Sequence, residues 1–180
     1  MTERYVILDR DGVINVDSDA FVKSPEEWLP IPGSLEAIAE LNRHGFQVFV
    51  ITNQSGIARG LFDLATLELM HDKMRRMLAL LGGHIEAIYF CPHGPNEGCE
   101  CRKPKSGLFE ELVRDRHVDL TRVYAIGDSL RDIAAAIAVG AQPILVKTGK
   151  GLLTLQNHPE LNLPVFENLY EATRYILAKS

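Results

Sequence analysis

The chain has 180 residues, of which 46% are hydrophobic and 24% are charged, with 19 lysines and arginines against 24 aspartates and glutamates. That length predicts one domain with a sizeable core, and the near-average composition excludes a disordered, collagenous or disulfide-dense protein. The formal net charge of −5 argues against a protein that coats nucleic acid or an anionic membrane, but it leaves a small anionic substrate open.

The N-terminal segment and the cysteine content together predict a cytoplasmic protein. Residues 1–4 are polar and lead directly into a short apolar run, unlike a signal peptide. No apolar stretch approaches the roughly 18 residues that span a bilayer, so we expect no membrane partner. Because thiols stay reduced in the cytoplasm, the three cysteines are expected to be metal ligands, nucleophiles or buried residues rather than disulfides.

Short apolar runs rich in β-branched and aromatic residues alternate with segments of helical period, which is typical of βαβ units around a buried parallel sheet. The predicted strands are residues 5–8, 46–51, 85–90, 122–126 and 143–146. The predicted helices are residues 34–44, 64–81, 107–116, 132–139 and 170–178. Two long irregular stretches remain, at residues 15–30 and 91–106, and such loops in a compact domain usually carry function.

The second predicted helix is the longest, and Asp63 is placed to cap its start. It ends at Gly82-Gly83, which suits a helix terminus. Apolar residues recur along it at helical spacing and predict one buried face, made of Leu64, Leu67, Met70, Met74, Met77 and Leu78. We interpret this methionine-rich face as core packing rather than as a cofactor site.

Asp9 and Asp11 directly follow the first predicted strand, in the sequence DRDG at residues 9–12. Residues i and i+2 of an extended segment point to the same side, so both carboxylates converge beyond the carboxyl end of a buried strand, where open α/β sheets bind ligands. Two close carboxylates repel unless a cation or a shared proton compensates. The pair therefore implies Mg²⁺, a division into acid and base, or both, unless these are simply solvated turn acids.

Polar segments follow two further predicted strands. The segment TNQSG at residues 52–56 offers hydroxyl, amide and backbone donors that suit phosphoryl oxygens, although an ordinary turn has the same composition. The segment GDSLRD at residues 127–132 places Asp128 and Asp132 on one face of a starting helix. Asp128 could ligate a hard cation. Asp132 is either a partner behind the site or an acid that favours the helix dipole.

All three cysteines lie in one loop together with a histidine, as Cys91, His93, Cys99 and Cys101. Zn²⁺ prefers tetrahedral thiolate and imidazole ligands, and a Cys₃His set leaves no vacant position, so the predicted site is closed and structural. Unligated loop thiols are the alternative. Metal binding would contribute folding free energy to a loop that has few apolar residues. It would also hold the cations that follow, which are Arg102, Lys103 and Lys105, near a doubly charged phosphate.

In this order the motifs resemble the haloacid dehalogenase superfamily of phosphohydrolases, which shows DxD after the first strand, then a Thr, a Lys and GDxxxD. The longer segments DRDGVIN, ITNQSGIARG, CPH…CxCRKPK and IGDSLRD look like its heptose-1,7-bisphosphate 7-phosphatase branch, which is close to histidinol-phosphatase domains. The resemblance covers residues 7 to about 146. It implies a three-layer α/β/α Rossmann-like parallel sheet, with residues 1–180 as a single domain without a large cap and a zinc loop at residues 91–105.

The resemblance also implies roles for the catalytic and metal-binding residues. Asp9 would be the nucleophile that forms an aspartyl-phosphate, and Asp11 would be the general acid and base. Thr52 and Lys103 would stabilise the transferring phosphoryl group, with Lys105 as a substitute for Lys103. The catalytic Mg²⁺ would be held by Asp9, the main-chain carbonyl of Asp11, and Asp128.

The substrate-binding residues that the resemblance implies come from two segments and one loop. Arg102 would recognise the substrate along with Asn53, Gln54 and Ser55. Four further residues, in the loop at residues 15–30, would also bind the substrate, namely Asp17, Ser18, Asp19 and Ala20. This last group departs from the family pattern, since the family shows a Gly-Tyr pair after an acidic position where this chain has Ala20-Phe21. That loop should contact the sugar, so the departure leaves the exact contacts open.

Three other functions compete with the heptose-phosphatase reading. Histidinol-phosphate phosphatase shares the DxD motif, the zinc loop and the mechanism, but SGIARG and the expected lack of a second catalytic domain favour the heptose branch. A phospho-receiver module without turnover should carry its acceptor after a middle strand rather than the first one. A zinc-ribbon nucleic-acid binder conflicts with the charge balance. We therefore expect a monomeric, Mg²⁺-dependent sugar-phosphate phosphatase that supplies heptose for lipopolysaccharide core.

Overall fold

The computed structural model describes residues 3–180, and the strands in that range form one parallel sheet in the order β3-β2-β1-β4-β5-β6. The strands are β1 (Arg4–Leu8), β2 (Phe46–Asn53), β3 (Ala87–Cys91), β4 (Tyr124–Gly127), β5 (Gln142–Val146) and β6 (Val165–Phe166). Ile7 of β1 is in register with Phe49 on one side and Ala125 on the other, so β1 lies inside the sheet. The predicted parallel α/β sheet is thereby confirmed.

Helices cover both faces of this sheet. They are α1 (Ser34–Arg43), α2 (Leu64–Ala79), α3 (Gly107–Arg116), α4 (Leu130–Ala138), α5 (Gly151–Asn157) and α6 (Leu169–Ala178), with a 3-10 turn at Leu120–Arg122. Val6 and Leu8 pack in one buried cluster with α1, α2 and α6, whereas Ile7 packs in a second cluster with α3 and α4. Because alternate strand residues point to opposite faces, this is the three-layer α/β/α arrangement that was predicted.

Two short elements were not predicted, and one buried face was predicted too long. Strand β6 has two residues and α5 has seven, so neither shows a full period in the sequence. Leu64 was wrongly placed on the buried face of α2. It is 53% exposed, because it is the first residue after the Asp63 cap and the buried positions of the helix begin at Leu67.

The ends of two neighbouring strands bring distant loops together at the site. Strand β2 extends to Asn53 rather than ending at residue 51, and Asn53 is in register with Cys91 at the end of β3. The loop at residues 15–30 is attached to α2, because Lys73 Nζ donates to the carbonyl oxygens of Pro25 and Trp28 at 2.7 Å each. Among the described residues, no helix is long and apolar enough to cross a membrane.

Candidate active site

A polar cavity of about 260 Å³ opens where β1, β2 and β4 end. Most of the predicted site residues line it, namely Asp9, Asp11, Asp17, Ser18, Asp19, Asn53, Gln54, Ser55, Arg102, Lys103 and Asp128. Besides the four cysteine and histidine residues of the predicted zinc site, two predicted residues lie outside this lining. Thr52 is buried and its hydroxyl accepts a hydrogen bond from Gln54 Nε2 at 3.0 Å. Ala20 is exposed, and its carbonyl accepts a hydrogen bond from Lys23.

A buried lysine joins two of the aspartates. Lys103 Nζ lies 3.1 Å from Asp9 Oδ1 and 2.7 Å from Asp132 Oδ1, and it donates to the Ile51 carbonyl at 2.7 Å. Burial alone would lower the pKa of Lys103, but the charges of Asp132 and Asp9 outweigh it and raise that pKa above its usual range. The ammonium group is therefore charged and directed at Asp9.

The other lysine considered for this role lies elsewhere. Lys105 is exposed and pairs with Glu100 Oε1 at 2.9 Å, outside the cavity lining. The backbone of Lys103 is held by a side chain at the end of β2: Asn53 Oδ1 accepts from the Lys103 N–H at 3.0 Å, and Asn53 Nδ2 donates to the Lys103 carbonyl at 3.1 Å. Asn53 was predicted as a substrate residue, and the structure adds this contact with the loop that carries Lys103.

Asp11 is held by donors on several sides. Its Oδ1 accepts from Asn15 Nδ2 at 2.8 Å and from Arg10 Nη2 at 2.9 Å, and its Oδ2 accepts from Gln54 Nε2 at 2.8 Å. Burial opposes the charged form, but the Arg10 guanidinium and these hydrogen bonds outweigh it and lower the pKa of Asp11. Sequence reasoning missed Arg10, although strand alternation indicates it: if Asp9 and Asp11 face the cavity, the residue between them faces the interior.

Negative charge accumulates around Asp128 and Asp9, although Lys103 pairs with Asp9. Burial and then repulsion from Asp9 raise the pKa of Asp128 to about 9. Burial and the nearby Asp132 raise the pKa of Asp9 to about 7. Gly12 and Gly149 leave room for the Asp128 carboxylate. A Cβ added at Gly12 would lie 2.1 Å from Asp128 Oδ2, and one added at Gly149 would lie 2.2 Å from it. Both glycines also have a positive φ, which other residues rarely adopt.

These acids fit a hard divalent cation. Carboxylate oxygens of Asp9, Asp128 and Asp132 lie within 4.8 Å of one another. Asp132 is already engaged, because Oδ1 pairs with Lys103 and Oδ2 accepts the N–H groups of Asp128 and Ser129 at 3.1 Å each. It therefore both caps α4 and holds Lys103, so both interpretations of Asp132 apply. Asp9 and Asp128 remain as the oxygen donors that suit Mg²⁺.

The four soft ligands converge as the sequence predicts. Cys91 Sγ lies 3.0 Å from Cys101 Sγ, 3.7 Å from Cys99 Sγ and 3.5 Å from His93 Nδ1. Ligands about 2.0–2.3 Å from a tetrahedral zinc ion are separated by roughly 3.3–3.8 Å. The distances from Cys91 to Cys99 and His93 match this range, and the one to Cys101 is shorter. The Cys₃His donor set, gathered at one place, fits Zn²⁺. Burial raises the pKa of the Cys91 thiol to about 12, which disfavours the thiolate unless a cation is bound.

Cations that the sequence analysis did not single out also line the cavity, namely Arg59, Arg131 and Lys150. Arg102 lies close enough to two of them that, after burial, their charges lower its pKa. The guanidinium of Arg59 stacks 5.2 Å from the ring centroid of Phe21, which also lines the cavity. Several cations gathered at one mouth suit a ligand with more than one anionic group.

Comparison with known proteins agrees with this geometry. The family profile described as HAD-hydrolase-like matches residues 100–172. A D-glycero-beta-D-manno-heptose-1,7-bisphosphate 7-phosphatase from Pseudomonas putida is 53% identical over 175 residues, covering 97% of this chain and 99% of the relative. One of the same name from Bordetella bronchiseptica is 58% identical over 152 residues, covering 84% of this chain and 85% of the relative.

A solved structure extends the likeness to three dimensions. The crystal structure of D,D-heptose 1,7-bisphosphate phosphatase from B. bronchiseptica, complexed with magnesium and phosphate, superposes with a TM-score of 0.96 at 52% identity. The match covers 98% of this chain and 99% of that one. Together with the carboxylate–lysine site, these likenesses show that the chain belongs to the HAD-like hydrolases, within the heptose-1,7-bisphosphate 7-phosphatase family.

Proposed function

We propose that this protein is a Mg²⁺-dependent phosphatase that removes the 7-phosphate of D-glycero-β-D-manno-heptose 1,7-bisphosphate. The observation that carries the proposal is the placement of Asp9 at the end of an inner strand, with Lys103 3.1 Å away and the acid Asp128 beside it. The named activity of relatives that match almost the whole chain supports the substrate. The product would supply heptose for lipopolysaccharide core.

In the first step Asp9 attacks the phosphorus atom, the bond from phosphorus to the sugar oxygen breaks, and an aspartyl-phosphate forms on Asp9. Asp11 gives its proton to the departing sugar oxygen. In the second step Asp11 takes a proton from water while that water attacks the phosphorus, which releases phosphate and restores both acids. A doubly charged phosphate beside Asp11 would oppose the donors that lower the pKa of this acid, and would favour its protonated form.

Other residues bind and orient the transferring group. Lys103 and Thr52 stabilise the charge on the phosphoryl oxygens, and Lys103 is fixed for this by Asp132 and Asn53. Mg²⁺ held by Asp9, Asp128 and the main-chain carbonyl of Asp11 supplies charge neutralisation when bound. These roles fit the raised pKa values of Asp9 and Asp128, which a cation would reverse.

Substrate recognition is assigned to the rim of the cavity. Arg102, Asn53, Gln54 and Ser55 would bind the part of the sugar that carries the second phosphate. Arg59 and Arg131, whose charges act on Arg102, would add positive charge there. Asp17, Ser18 and Asp19 also line the cavity and would offer acceptors for sugar hydroxyls, and Ala20 belongs to the same loop.

The proposal includes the organisation of the whole chain. Residues 1–180 form a single phosphatase domain that acts as a monomer in the cytoplasm, without a nucleic-acid or membrane partner. Structural Zn²⁺ bound by Cys91, His93, Cys99 and Cys101 holds the loop at residues 91–105 over the cavity. The loop thus takes the place of a cap.

Steady-state kinetics test the proposed function. The purified protein with Mg²⁺ is expected to turn over heptose 1,7-bisphosphate with a larger kcat/KM than histidinol phosphate, and to lose activity when Mg²⁺ is chelated. Asp9→Asn is expected to abolish turnover, because an amide cannot act as the nucleophile. Preference for histidinol phosphate would contradict the substrate, and activity that survives Asp9→Asn would contradict the mechanism.

A further inference from the structure

Two buried polar side chains lie behind Asp11 and have no part in the steps described above. Arg10 is 0% exposed and His71 of α2 is 1% exposed, which is rare for side chains of these types. Arg10 Nη1 lies 3.2 Å from His71 Nε2. On its other side Arg10 donates to Asp11, from Nε at 3.3 Å and from Nη2 at 2.9 Å and 3.1 Å.

The two contacts of Arg10 have a defined direction. An arginine has donors only, so His71 Nε2 must accept, which requires the neutral ring with its proton on Nδ1. Burial, and then the charges of Arg10 and Arg75, lower the pKa of His71 to about 3, in agreement with a neutral ring. The chain of contacts therefore runs from a helix of the core, through Arg10, to the carboxylate of Asp11.

A second path closes this network. Arg10 Nη2 lies 3.4 Å from Gln54 Oε1, and Gln54 Nε2 donates to Asp11 Oδ2 at 2.8 Å and to Thr52 Oγ1 at 3.0 Å. The plane of the Asp11 carboxylate is thus set by donors on both of its oxygens. A buried guanidinium contributes little to stability compared with well-packed apolar residues, so stability alone does not explain a buried Arg–His pair at this place.

We propose that His71, acting through Arg10, is a positioning residue that directs the Asp11 carboxyl group toward the leaving-group oxygen. This proposal rests on the proposed function and names two residues that the mechanism above does not use. Neither residue touches the substrate. Their effect falls on the two proton transfers of Asp11, to the departing oxygen and later from water. The guanidinium of Arg10 and the ring of His71 are not among the hydrogen-bond partners of Lys103, and Arg10 reaches Asp9 Oδ1 through its backbone N–H, at 2.8 Å.

Leaving-group dependence separates this role from a general structural one. A sugar alkoxide leaves only if it is protonated, and general acid catalysis contributes about 10²–10⁴-fold to such steps. The nitrophenolate of p-nitrophenyl phosphate leaves without a proton. In His71→Leu the acceptor for Arg10 is lost. The ratio kcat/KM reports only the steps up to departure of the leaving group, whereas kcat also includes water attack, for which Asp11 is the base with either substrate. We therefore expect kcat/KM on heptose bisphosphate to fall on the order of ten- to a hundred-fold more than kcat/KM on p-nitrophenyl phosphate.

Three further variants make the result decisive. His71→Gln keeps an acceptor for Arg10 and is expected to restore most of the lost kcat/KM. Asn53→Ala disturbs Lys103 instead and is expected to lower kcat/KM on both substrates by similar factors. Met74→Ala removes buried packing from the same helix while leaving the His71–Arg10 pair in place, and so controls for destabilisation, which is followed by thermal unfolding of every variant.

Each outcome has one meaning. A kcat/KM loss in His71→Leu that is confined to the sugar substrate and reversed in His71→Gln supports the proposal. Equal losses on both substrates, or a loss that Met74→Ala reproduces, would overturn it while leaving the phosphatase function intact. If the wild-type protein hydrolyses p-nitrophenyl phosphate but not heptose bisphosphate, the substrate assignment fails and the leaving-group comparison is made with a simple alkyl phosphate.

Discussion

Two buried cations flank the candidate phosphoryl site, and the chain holds them in different ways. Arg10 lies two residues after the end of β1, next to the acid that it pairs with, and contacts His71 in the core. Lys103 lies in the 91–105 loop, far along the chain from Asp9, and its backbone is held by Asn53. Its loop also carries the cluster of sulfur and imidazole ligands.

The difference shows two ways to hold a buried cation in place, one supported by the hydrophobic core and one independent of it. A cation beside a strand end can be fixed by a packed helix, because α2 already buries its apolar face there. A cation in a loop with little apolar surface needs amide contacts and metal binding instead. Damage on the Arg10 side should therefore change the stability of the whole domain, whereas damage on the Lys103 side should change local order first.

The largest expected effect comes from removing the loop cation. Lys103→Ala leaves Asp9 and Asp132 buried without their counter-charge and removes phosphoryl stabilisation, so kcat/KM is expected to fall on the order of 10³-fold. Steady-state kinetics on heptose bisphosphate measure it. Lys105→Ala is the matched control, since that lysine pairs with Glu100 at the surface and its loss should leave kcat/KM within about two-fold. Equal losses in both variants would refute the assignment of Lys103.

A smaller effect, on stability, tests the Arg10 side. His71 has a pKa of about 3 in the folded protein against 6.5 as its ordinary value, so below pH 6.5 the unfolded chain binds a proton that the folded one does not. Stability is therefore lost as pH falls, by about 1.4 kcal/mol per pH unit at most. Between pH 6.5 and 4.5 the wild-type protein is expected to lose about 2 kcal/mol more than His71→Gln does.

Urea unfolding of both proteins across that range measures this difference. The raised pKa values of Asp9 and Asp128 have the opposite effect, because they make the folded protein more stable as the pH falls. Both acids are present in the wild-type protein and in His71→Gln, so their contribution cancels in the difference. Parallel curves of unfolding free energy against pH would show that His71 is not held neutral by Arg10 and its burial.

The smallest expected effect concerns the metal. Cys99→Ser is expected to reduce zinc content, to increase hydrogen exchange at residues 91–105, and to lower kcat/KM roughly ten-fold by weakening substrate binding. Exchange at residues 9–16, on the Arg10 side, should be unchanged. Zinc content by elemental analysis, exchange by mass spectrometry and kinetics measure the three parts. Unaltered metal content together with unaltered kinetics would contradict a structural role for the cluster.

The sequence predicts the site residues that follow strand ends. Asp9, Asp128 and Cys91 stand at the ends of apolar runs, and parallel strands bring such positions to one edge of the sheet. The parallel α/β sheet follows from the same alternation of runs, the family resemblance implies its three layers, and both predictions are confirmed. These features depend on spacing along the chain, which is visible without coordinates.

Contacts between distant side chains are not predictable in this way. His71 lies 61 positions from Arg10 and shares a helix with the methionines of the core. Its helical spacing therefore predicts only a buried packing residue. Asn53 was predicted to bind substrate, and nothing in its segment indicates the contacts with Lys103, 50 positions away. Lys103 could be preferred to Lys105 only from its position in the segment CECRK, because both lysines lie in the same short cationic run.

Accumulation of the covalent intermediate tests the central claim, that Asp9 receives the phosphoryl group while Asp11 handles the proton. In Asp11→Asn, p-nitrophenyl phosphate can still phosphorylate Asp9 because its leaving group needs no acid, but water attack lacks its base. Rapid mixing is predicted to show a burst of one nitrophenolate per chain, and peptide mass spectrometry a phosphoryl group on Asp9. Turnover without a burst, or a phosphoryl group on another residue, would contradict the account.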